Sequence, residues 1–308
     1  MTTFLYQHPA CEHHEPGIHH PESPYRLESV MTKLDEVCFN NLVRFDAPKT
    51  QLEVISLVHD PNYIDRLLQS VPKNGLVYLD PDTILSPGSG EAILRAVGGV
   101  CAAIDDVLDA KADNAFCAMR PPGHHAEFSR AMGFCVFNNV AIGAKYAQKK
   151  YGVEKVAVID FDVHHGNGTQ HTFEPNPLLF YGSSHQFPAY PGTGLASEVG
   201  SGNIVNVPIK PGGGSQLFRQ AYAEIIIPKL RAFNPDLILL SAGFDAHIED
   251  PLCQLNLVTP DFVWVTKELL LVAAECCEGR LVSTLEGGYN LEALADCVGA
   301  HVSALMEL

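Results

Sequence analysis

Residues 156–168 restrict the possible folds of this chain more than any other stretch. Residues 156–159 form an apolar run, which then breaks into carboxylates, imidazoles and glycines. This pattern predicts a buried parallel strand, and open α/β sheets place their sites at the carboxyl ends of such strands. Asp160, Asp162 and His164 alternate with period two, so their side chains would leave the strand on one face. Two carboxylates and an imidazole suit Zn²⁺, Fe²⁺ or Mn²⁺, with positions left open for a catalytic water.

Other predicted strands end in similar groups. Residues 115–119 lead to His124 and His125 after a Pro-Pro-Gly turn, and residues 236–241 lead to Asp245. Strands alternating with helices predict an α/β fold with a mainly parallel sheet covered on both faces. Further strands are expected at 4–7, 178–183, 203–207 and 281–285, and helices at 24–38, 51–58, 61–71, 90–110, 136–150, 216–231, 261–277 and from 291 onward.

Length and composition bound the class of protein. The chain has 308 residues, 46% of them hydrophobic, which is enough for a full core. Because no Ser/Gly/Pro-rich linker divides it, we expect one domain over residues 1–308. With 20 basic and 36 acidic residues, the formal net charge is −16. Such a field would repel nucleic acid and attract cationic substrates, although acidity is also a common device for solubility.

Cysteine usage and hydropathy indicate the compartment. The nine cysteines are odd in number and lack disulfide-scaffold or zinc-finger spacing, which is typical of a reducing environment. The N-terminus lacks a basic region with a long apolar stretch, and no later segment has the ~20 apolar residues of a membrane span. We therefore expect a soluble, cytoplasmic protein without membrane association.

Six motifs follow one another along the chain: RPPGHHA at 120–126, GFC at 133–135, DFDVHHGNG at 160–168, PGTG at 191–194, SAGFD at 241–245 and EGGY at 286–289. Together they closely resemble the zinc-dependent histone deacetylase family. The match runs in order from residues 20–22 almost to the C-terminus, and the combination is far more specific than any one motif. HHGNG and EGGY are similar to the class II and bacterial amidohydrolase branch, and the short length is also typical of bacterial members.

The resemblance implies an arginase-like, three-layer α/β fold with an eight-stranded, mainly parallel sheet. It also implies one catalytic Zn²⁺ per chain, with Asp162, His164 and Asp245 as ligands. One or two structural K⁺ ions are implied as well. The first would use Asp160, backbone oxygens of Asp162 and His164, Ser183 Oγ and the backbone of Ser184, and the second would use backbone oxygens around Phe173, Asn176 and Leu179.

Catalytic positions follow from the same resemblance. His124 and His125 would flank the attacking water, Tyr289 would face it from the opposite side, and Asp160 would hydrogen-bond His124. Asn167 stands where class I members carry an aspartate beside the second histidine. His125 would therefore lack a carboxylate partner, which makes its neutral form more accessible near pH 7. The substrate tunnel would be formed by Gly133, Phe134, Tyr190, Leu252 and Gly288.

Amide hydrolysis needs a nucleophile, stabilisation of an oxyanion and a proton for the leaving amine. Zinc would activate the water and polarise the carbonyl. His125 is the predicted general base and later acid, while His124, oriented and charged by Asp160, would assist electrostatically. Tyr289 would donate a hydrogen bond to the developing oxyanion. Some relatives carry histidine there and turn over acetyl-lysine poorly, so the tyrosine favours a competent deacetylase.

We therefore predict a metal-dependent amidohydrolase that removes acetyl or other short acyl groups from lysine side chains of a peptide or protein. Deacetylation of acetylated polyamines is the alternative, for which an acid at the tunnel rim would be typical. A two-manganese ureohydrolase on the same fold would need further bridging aspartates, but the chain has His165 and Asn167 there. An acyl-lysine binding module would bind without turnover and would not need the metal ligands, both histidines and the tyrosine together. The candidate rim acids are Glu22, Asp80 and Asp82.

Overall fold

The computed structural model describes residues 1–307 and contains an eight-stranded sheet in which every neighbouring pair is parallel. The strands are β1 (Thr3–Gln7), β2 (Val43–Asp46), β3 (Val77–Tyr78), β4 (Ile84–Leu85), β5 (Asn114–Cys117), β6 (Val156–Asp160), β7 (Leu179–Gln186), β8 (Ile204–Ile209), β9 (Leu237–Ala242) and β10 (Leu281–Leu285). Their order in the large sheet is β2-β1-β5-β10-β9-β6-β7-β8, and β3 and β4 form a separate antiparallel pair.

Two groups of helices cover the sheet, giving three layers. One group contains α4 and α5, which pack on each other, and in the other α10 packs against both α1 and α9. The helices are α1 (Pro24–Leu34), α2 (Leu52–Ile55), α3 (Pro61–Gln69), α4 (Ser89–Leu108), α5 (Asn139–Tyr151), α6 (Asn167–Phe173), α7 (Ser215–Ala221), α8 (Ile227–Phe233), α9 (Thr259–Cys277) and α10 (Leu291–Glu307), with 3-10 turns at Pro9–His13 and Val37–Phe39 and a π segment at Tyr222–Ile226.

Strand β6 lies between β9 and β7 in the sheet and leads into two of the three predicted metal ligands. All five of its residues are buried, as expected of an apolar run that is covered on both faces. Asp160, its last residue, lies opposite Ser183 of β7 and Ser241 of β9. Because parallel strands end at the same edge, the loops after these three strands begin side by side.

Some elements differ from the prediction. Strand β2 was not predicted, because it is a short edge strand with three of its four residues exposed and so lacks a buried apolar run. Residues 8–23, for which no helix or strand was predicted, contain a 3-10 turn that His8 Nδ1 caps by accepting from the backbone N–H of Ala10 at 3.0 Å. The helix predicted at 216–231 changes to π geometry just before Pro228, which has no N–H for the next helical bond.

Within residues 1–307, no helix has the length and apolar character needed to cross a bilayer. The nine cysteines in this range are all free thiols.

Candidate metal centre and active site

The three predicted metal ligands meet at the carboxyl edge of the sheet. Asp162 and His164 follow β6, Asp245 follows β9, and their ligand atoms lie within 4.8 Å of one another. His164 Nδ1 is 3.2 Å from Asp162 Oδ1 and 3.0 Å from Asp245 Oδ2. Both carboxylates are 1% exposed. The strand ends therefore bring together one nitrogen and two oxygen donors in a buried position.

Backbone groups orient these carboxylates. Val163 N–H donates to Asp245 Oδ1 at 2.8 Å, and Gly287 N–H donates to Asp162 Oδ2 at 2.8 Å. A Cβ on Gly243 would lie 2.0 Å from Asp162 Oδ2, so only glycine allows this approach. Burial and the neighbouring Asp162 carboxylate raise the pKa of Asp245 to about 7. Within residues 1–307, no lysine or arginine pairs with either carboxylate, so the donor set fits a divalent cation.

His124 is held in a charged form by its surroundings. Its Nδ1 lies 3.0 Å from Asp160 Oδ2, and that oxygen also accepts a hydrogen bond from the Tyr181 hydroxyl at 2.9 Å. Burial alone would lower the pKa of His124, but the Asp160 and Asp162 carboxylates raise it to about 10. His124 therefore carries positive charge at neutral pH.

His125 lies beside His124 in a different environment. The two ring centroids are 4.0 Å apart, and His125 Nδ1 lies 2.8 Å from Asn167 Oδ1. Burial lowers the pKa of His125 well below its ordinary value, and positive charge on His124 and His164 lowers it further. The pKa values of the two adjacent histidines are thus shifted in opposite directions, so His124 is charged and His125 is neutral.

A cavity of about 220 Å³ adjoins these residues. Phe134 packs edge-on against Tyr289 with centroids 5.8 Å apart, and Tyr190 packs edge-on against His125 at 5.1 Å. Of the five predicted tunnel residues, four line the cavity, whereas Gly288 does not, and its carbonyl oxygen accepts a hydrogen bond from Arg26 Nε at 2.6 Å. The lining residues are Asp82, His125, Gly133, Phe134, His164, Tyr190, Leu252 and Tyr289.

Only one of the three candidate rim acids lines this cavity. Asp82 does so, and Asp80 shapes the turn that presents it by accepting from the backbone N–H groups of Asp82 at 3.0 Å and Thr83 at 2.7 Å. The prediction of Glu22 as a candidate rim acid was wrong, because this residue is 0% exposed and its carboxylate is bound by the guanidinium groups of Arg26 and Arg120.

Backbone and side-chain contacts fix Tyr289. Asp250 Oδ2 accepts from its N–H at 2.7 Å, and the Arg26 guanidinium lies 4.9 Å from its ring centroid. Burial raises the pKa of the Tyr289 hydroxyl well above its ordinary value, so the hydroxyl keeps its proton. Neither Asp250 nor Arg26 was singled out from sequence, because neither belongs to a strand-end motif.

Glu286 is a further buried acid that sequence reasoning left without a role. Its Oε2 accepts from Gly123 N–H at 2.7 Å and from His124 N–H at 3.3 Å, and its Oε1 accepts from Ser241 Oγ at 3.1 Å. Burial raises the pKa of Glu286 to about 7. It lies close to His124 and Cys135, but its backbone contacts show that it fixes the histidine-bearing turn. Its position as the first residue of the EGGY motif was the available signal.

Comparison with known proteins identifies the family. The family model described as histone deacetylase domain matches residues 20–305. The chain belongs to the histone deacetylase family. It is 39% identical to the type-2 histone deacetylase 2 of Dictyostelium discoideum over 99% of this chain but only 21% of that protein. It is 38% identical to the histone deacetylase-like amidohydrolase of Pseudomonas aeruginosa, over 88% of this chain and 73% of that one.

A solved structure supports the same assignment. The crystal structure of the HDA15 HD domain matches with a TM-score of 0.93 and 33% identity, covering 99% of this chain and 88% of that chain. The predictions of an arginase-like and deacetylase-like α/β fold and of the family are thereby confirmed. Members of the histone deacetylase family are metal-dependent deacetylases and amidohydrolases, and this chain is an enzyme of that class.

The family resemblance predicted a first potassium ion near the end of β6. In the structure, Ser183 Oγ lies 2.8 Å from Nδ1 of the buried His185. No hydrogen-bond donor within residues 1–307 reaches the carbonyl oxygens of Asp162 and His164, so these oxygens can accept a cation. Four of the five residues expected at this position are buried and the fifth, His164, is nearly so: Asp160, Asp162, His164, Ser183 and Ser184.

The region predicted to bind a second potassium ion differs. Asn203 Nδ2 lies within hydrogen-bond distance of the three carbonyl oxygens that were expected to bind this ion, 2.9 Å from Phe173 O, 3.0 Å from Asn176 O and 2.6 Å from Leu179 O. Its two N–H groups are shared among these three acceptors. Asn203 Oδ1 accepts from the N–H and Oγ of Ser201 at 3.1 and 3.0 Å, which fixes the orientation of the amide. A cation cannot share this space with the amide nitrogen, so the residues in this conformation do not fit a second ion.

Replacing Asn203 with alanine should make stability depend on potassium. The variant loses the bonds to three buried carbonyl oxygens, which should cost about 1–3 kcal/mol of unfolding free energy without potassium. Potassium chloride should then raise the Tm of the variant more than that of the wild type, compared with equal tetramethylammonium chloride. Asn176→Ala is the control, because it removes a bond to Leu178 N–H but leaves the carbonyl oxygens engaged. Equal potassium responses in wild type and Asn203→Ala would refute this explanation.

Proposed function

We propose that this chain hydrolyses the side-chain amide of acetyl-lysine, or of another short acyl-lysine, in a peptide or protein. A zinc ion bound by Asp162, His164 and Asp245 and a single catalytic domain over residues 1–308 are part of the proposal. The observation that carries it is the aromatic-walled cavity, which is lined by His125, His164 and Tyr289 together. A narrow apolar channel suits the methylene chain of lysine, and the polar groups suit its amide.

The metal part of the proposal rests on the donor set. Two carboxylates and one imidazole leave coordination positions for water and substrate, as in other catalytic zinc sites. When bound there, zinc would supply Lewis acidity, which polarises an amide carbonyl and lowers the pKa of water. A first potassium ion beside Asp160 belongs to the same proposal, because no donor in the described part of the chain, residues 1–307, bonds to the carbonyl oxygens of Asp162 and His164.

His125 suits the role of proton carrier. Its Nδ1 is engaged by Asn167 Oδ1, which leaves Nε2 as the ring nitrogen available to the cavity that His125 lines. Because its pKa lies well below the ordinary value, the ring is neutral at pH 7 and can accept a proton from the attacking water. The proton then passes from His125 to the departing lysine amine.

Two other side chains stabilise the negative charge that develops on the amide oxygen. Tyr289 keeps its hydroxyl proton and can donate it in a hydrogen bond to the oxyanion. His124, charged by its pairing with Asp160, adds positive potential beside His125. His124 therefore acts electrostatically, and it is already protonated when His125 must receive a proton.

Replacing Tyr289 with phenylalanine tests the oxyanion role. The ring contacts with Phe134 and Arg26 should persist, since only the hydroxyl is lost. We expect kcat for an acetyl-lysine peptide to fall by about 10²–10³ with unchanged metal content, the effect typical of losing one oxyanion donor. Steady-state kinetics with elemental analysis of the same protein would measure both quantities. A rate near that of the wild type would exclude the tyrosine from this role.

Acetylated polyamines are the second candidate substrates, and Asp82 is the observation that favours them. Asp82 lines the cavity, and a carboxylate at this position suits a second ammonium group of the substrate. Comparing kcat/KM for an acetyl-lysine peptide and for acetylputrescine, on protein loaded with one metal at a time, tests the proposed function. Faster turnover of the peptide is expected, and the reverse order would establish the polyamine activity. If the protein hydrolyses neither the peptide nor acetylputrescine, the hydrolase proposal is rejected.

A further inference from the structure

We propose that Glu127 is a positioning residue that fixes the tautomer of His125 through the side-chain amide of Asn167. This inference rests on the proposed function, in which His125 carries the proton. The sequence suggested that His125 lacks a carboxylate partner. In the structure, the oxygen of the Asn167 side-chain amide contacts the imidazole, and the nitrogen of the same amide contacts the Glu127 carboxylate.

The amide of Asn167 is held at both ends. Its Oδ1 lies 2.8 Å from His125 Nδ1, and its Nδ2 donates to Glu127 Oε1 and, at 3.2 Å, to the carbonyl oxygen of His125. Asn167 is 3% exposed, so water contributes little to these contacts. Each amide atom therefore has a defined partner within the protein.

These partners determine which ring nitrogen of His125 carries the proton. A carboxylate and a carbonyl can only accept hydrogen bonds, so the NH₂ end of Asn167 must face Glu127 and its oxygen must face the imidazole. An amide oxygen can only accept, so Nδ1 of neutral His125 must be protonated. Nε2 is then unprotonated, which is the form that a general base requires.

Glu127 provides the stronger of the two acceptors for the amide, because a hydrogen bond to an ionised group exceeds one to a neutral carbonyl. The half-exposed His171 also contacts this carboxylate, with its Nδ1 2.8 and 2.9 Å from the two oxygens of Glu127. Without Glu127, the Asn167 amide can rotate and present its NH₂ group to Nδ1. That orientation would favour the tautomer with its proton on Nε2, which cannot accept another.

The direct test is the tautomer of His125 in the zinc-loaded protein, measured by ¹⁵N NMR of the histidine rings. Wild type should show the Nδ1–H form, and Glu127→Ala should shift the population towards Nε2–H. We expect kcat of Glu127→Ala to fall about 10- to 100-fold with unchanged KM and metal content, as is typical of losing a group that orients an active-site ligand. His171→Gln is the matched control, because it removes the imidazole that contacts Glu127 but leaves the hydrogen bond between Glu127 and Asn167. The kcat of this variant should match that of the wild type.

A second substitution separates positioning from folding. Asn167→Asp would place a carboxylate directly against His125 Nδ1, so combining it with Glu127→Ala should restore the Nδ1–H form and most of kcat. Failure of this double variant to regain the tautomer would overturn the inference, as would an Nε2–H form in wild type. If the tautomer shifts as expected but wild type hydrolyses neither acyl-lysine nor acetylpolyamine, the positioning role stands and the proposed function fails.

Discussion

Replacing His125 with alanine should lower kcat for an acetyl-lysine peptide by about 10²–10⁴-fold, the contribution typical of a positioned general base. The loss should exceed that caused by His124→Ala. His125 is the neutral member of the pair, whereas pairing with Asp160 raises the pKa of His124 to about 10 and leaves it already protonated. Single-turnover rates at saturating peptide would compare the two variants without interference from product release.

Metal content separates this effect from loss of the metal centre. His125 Nδ1 contacts Asn167, and neither histidine belongs to the Asp162, His164 and Asp245 group. Both alanine variants should therefore retain wild-type zinc by elemental analysis, whereas Asp245→Asn should lose it. A larger loss of kcat in His124→Ala than in His125→Ala would reverse the assignment and make His124 the base.

The central part of the fold could be predicted because its strands are buried on both faces. Strand β6 and strand β9 consist of buried residues throughout, and such strands appear in sequence as continuous apolar runs. Strand β2 lies at the sheet edge with mostly exposed residues, so its pattern resembles that of a loop. The pairing of β3 with β4 was also missed, since each has two residues.

The residues of the site likewise divide into those that the sequence could predict, which follow buried strands, and those that it could not, which lie in loops. Asp162, His164 and Asp245 directly follow buried strands, so strand order alone brings them to one edge. Glu127 contacts Asn167 across 40 residues, and Asp250 contacts Tyr289 across 39. Such supporting contacts depend on how loops pack, and no local pattern encodes them. Motif reasoning thus reaches the groups on strand ends, including Asp160 beside His124, but not the supporting groups that only loop packing brings into contact.

Replacing Glu22 with glutamine should be among the most destabilising changes of a single charge in this chain. Glu22 is 0% exposed, and its carboxylate binds Arg26 Nη1 at 3.0 Å and Arg120 Nη2 at 2.8 Å. Both guanidinium groups are also fully buried. Neutralising the acid leaves two positive charges in the core without a counterion, which typically costs about 3–5 kcal/mol. Urea unfolding at pH 7 would measure this loss.

The pH dependence of the same loss identifies its electrostatic origin. Burial alone would raise the pKa of Glu22, but Arg120, His14 and Arg26 hold it well below its ordinary value. A group with a depressed folded-state pKa stabilises the protein above its unfolded-state pKa and loses that contribution as the pH falls. The difference in unfolding free energy between wild type and Glu22→Gln should therefore be constant from pH 7 to about 5.5 and should shrink below about pH 4.5, near the ordinary pKa of glutamate.

A matched surface variant shows that burial causes the effect. Glu307 pairs with Lys267 at 2.9 Å, and both side chains are about half exposed. Glu307→Gln should cost less than about 1 kcal/mol, because water screens the pair. A loss in Glu22→Gln no larger than this would mean that the arginines find other partners. The expected large loss reflects a structural role, since Arg26 joins Glu22 to the carbonyl oxygen of Gly288 beside Tyr289. The buried acid therefore supports the segment that carries Tyr289 from within the protein and does not lie at the rim of the cavity.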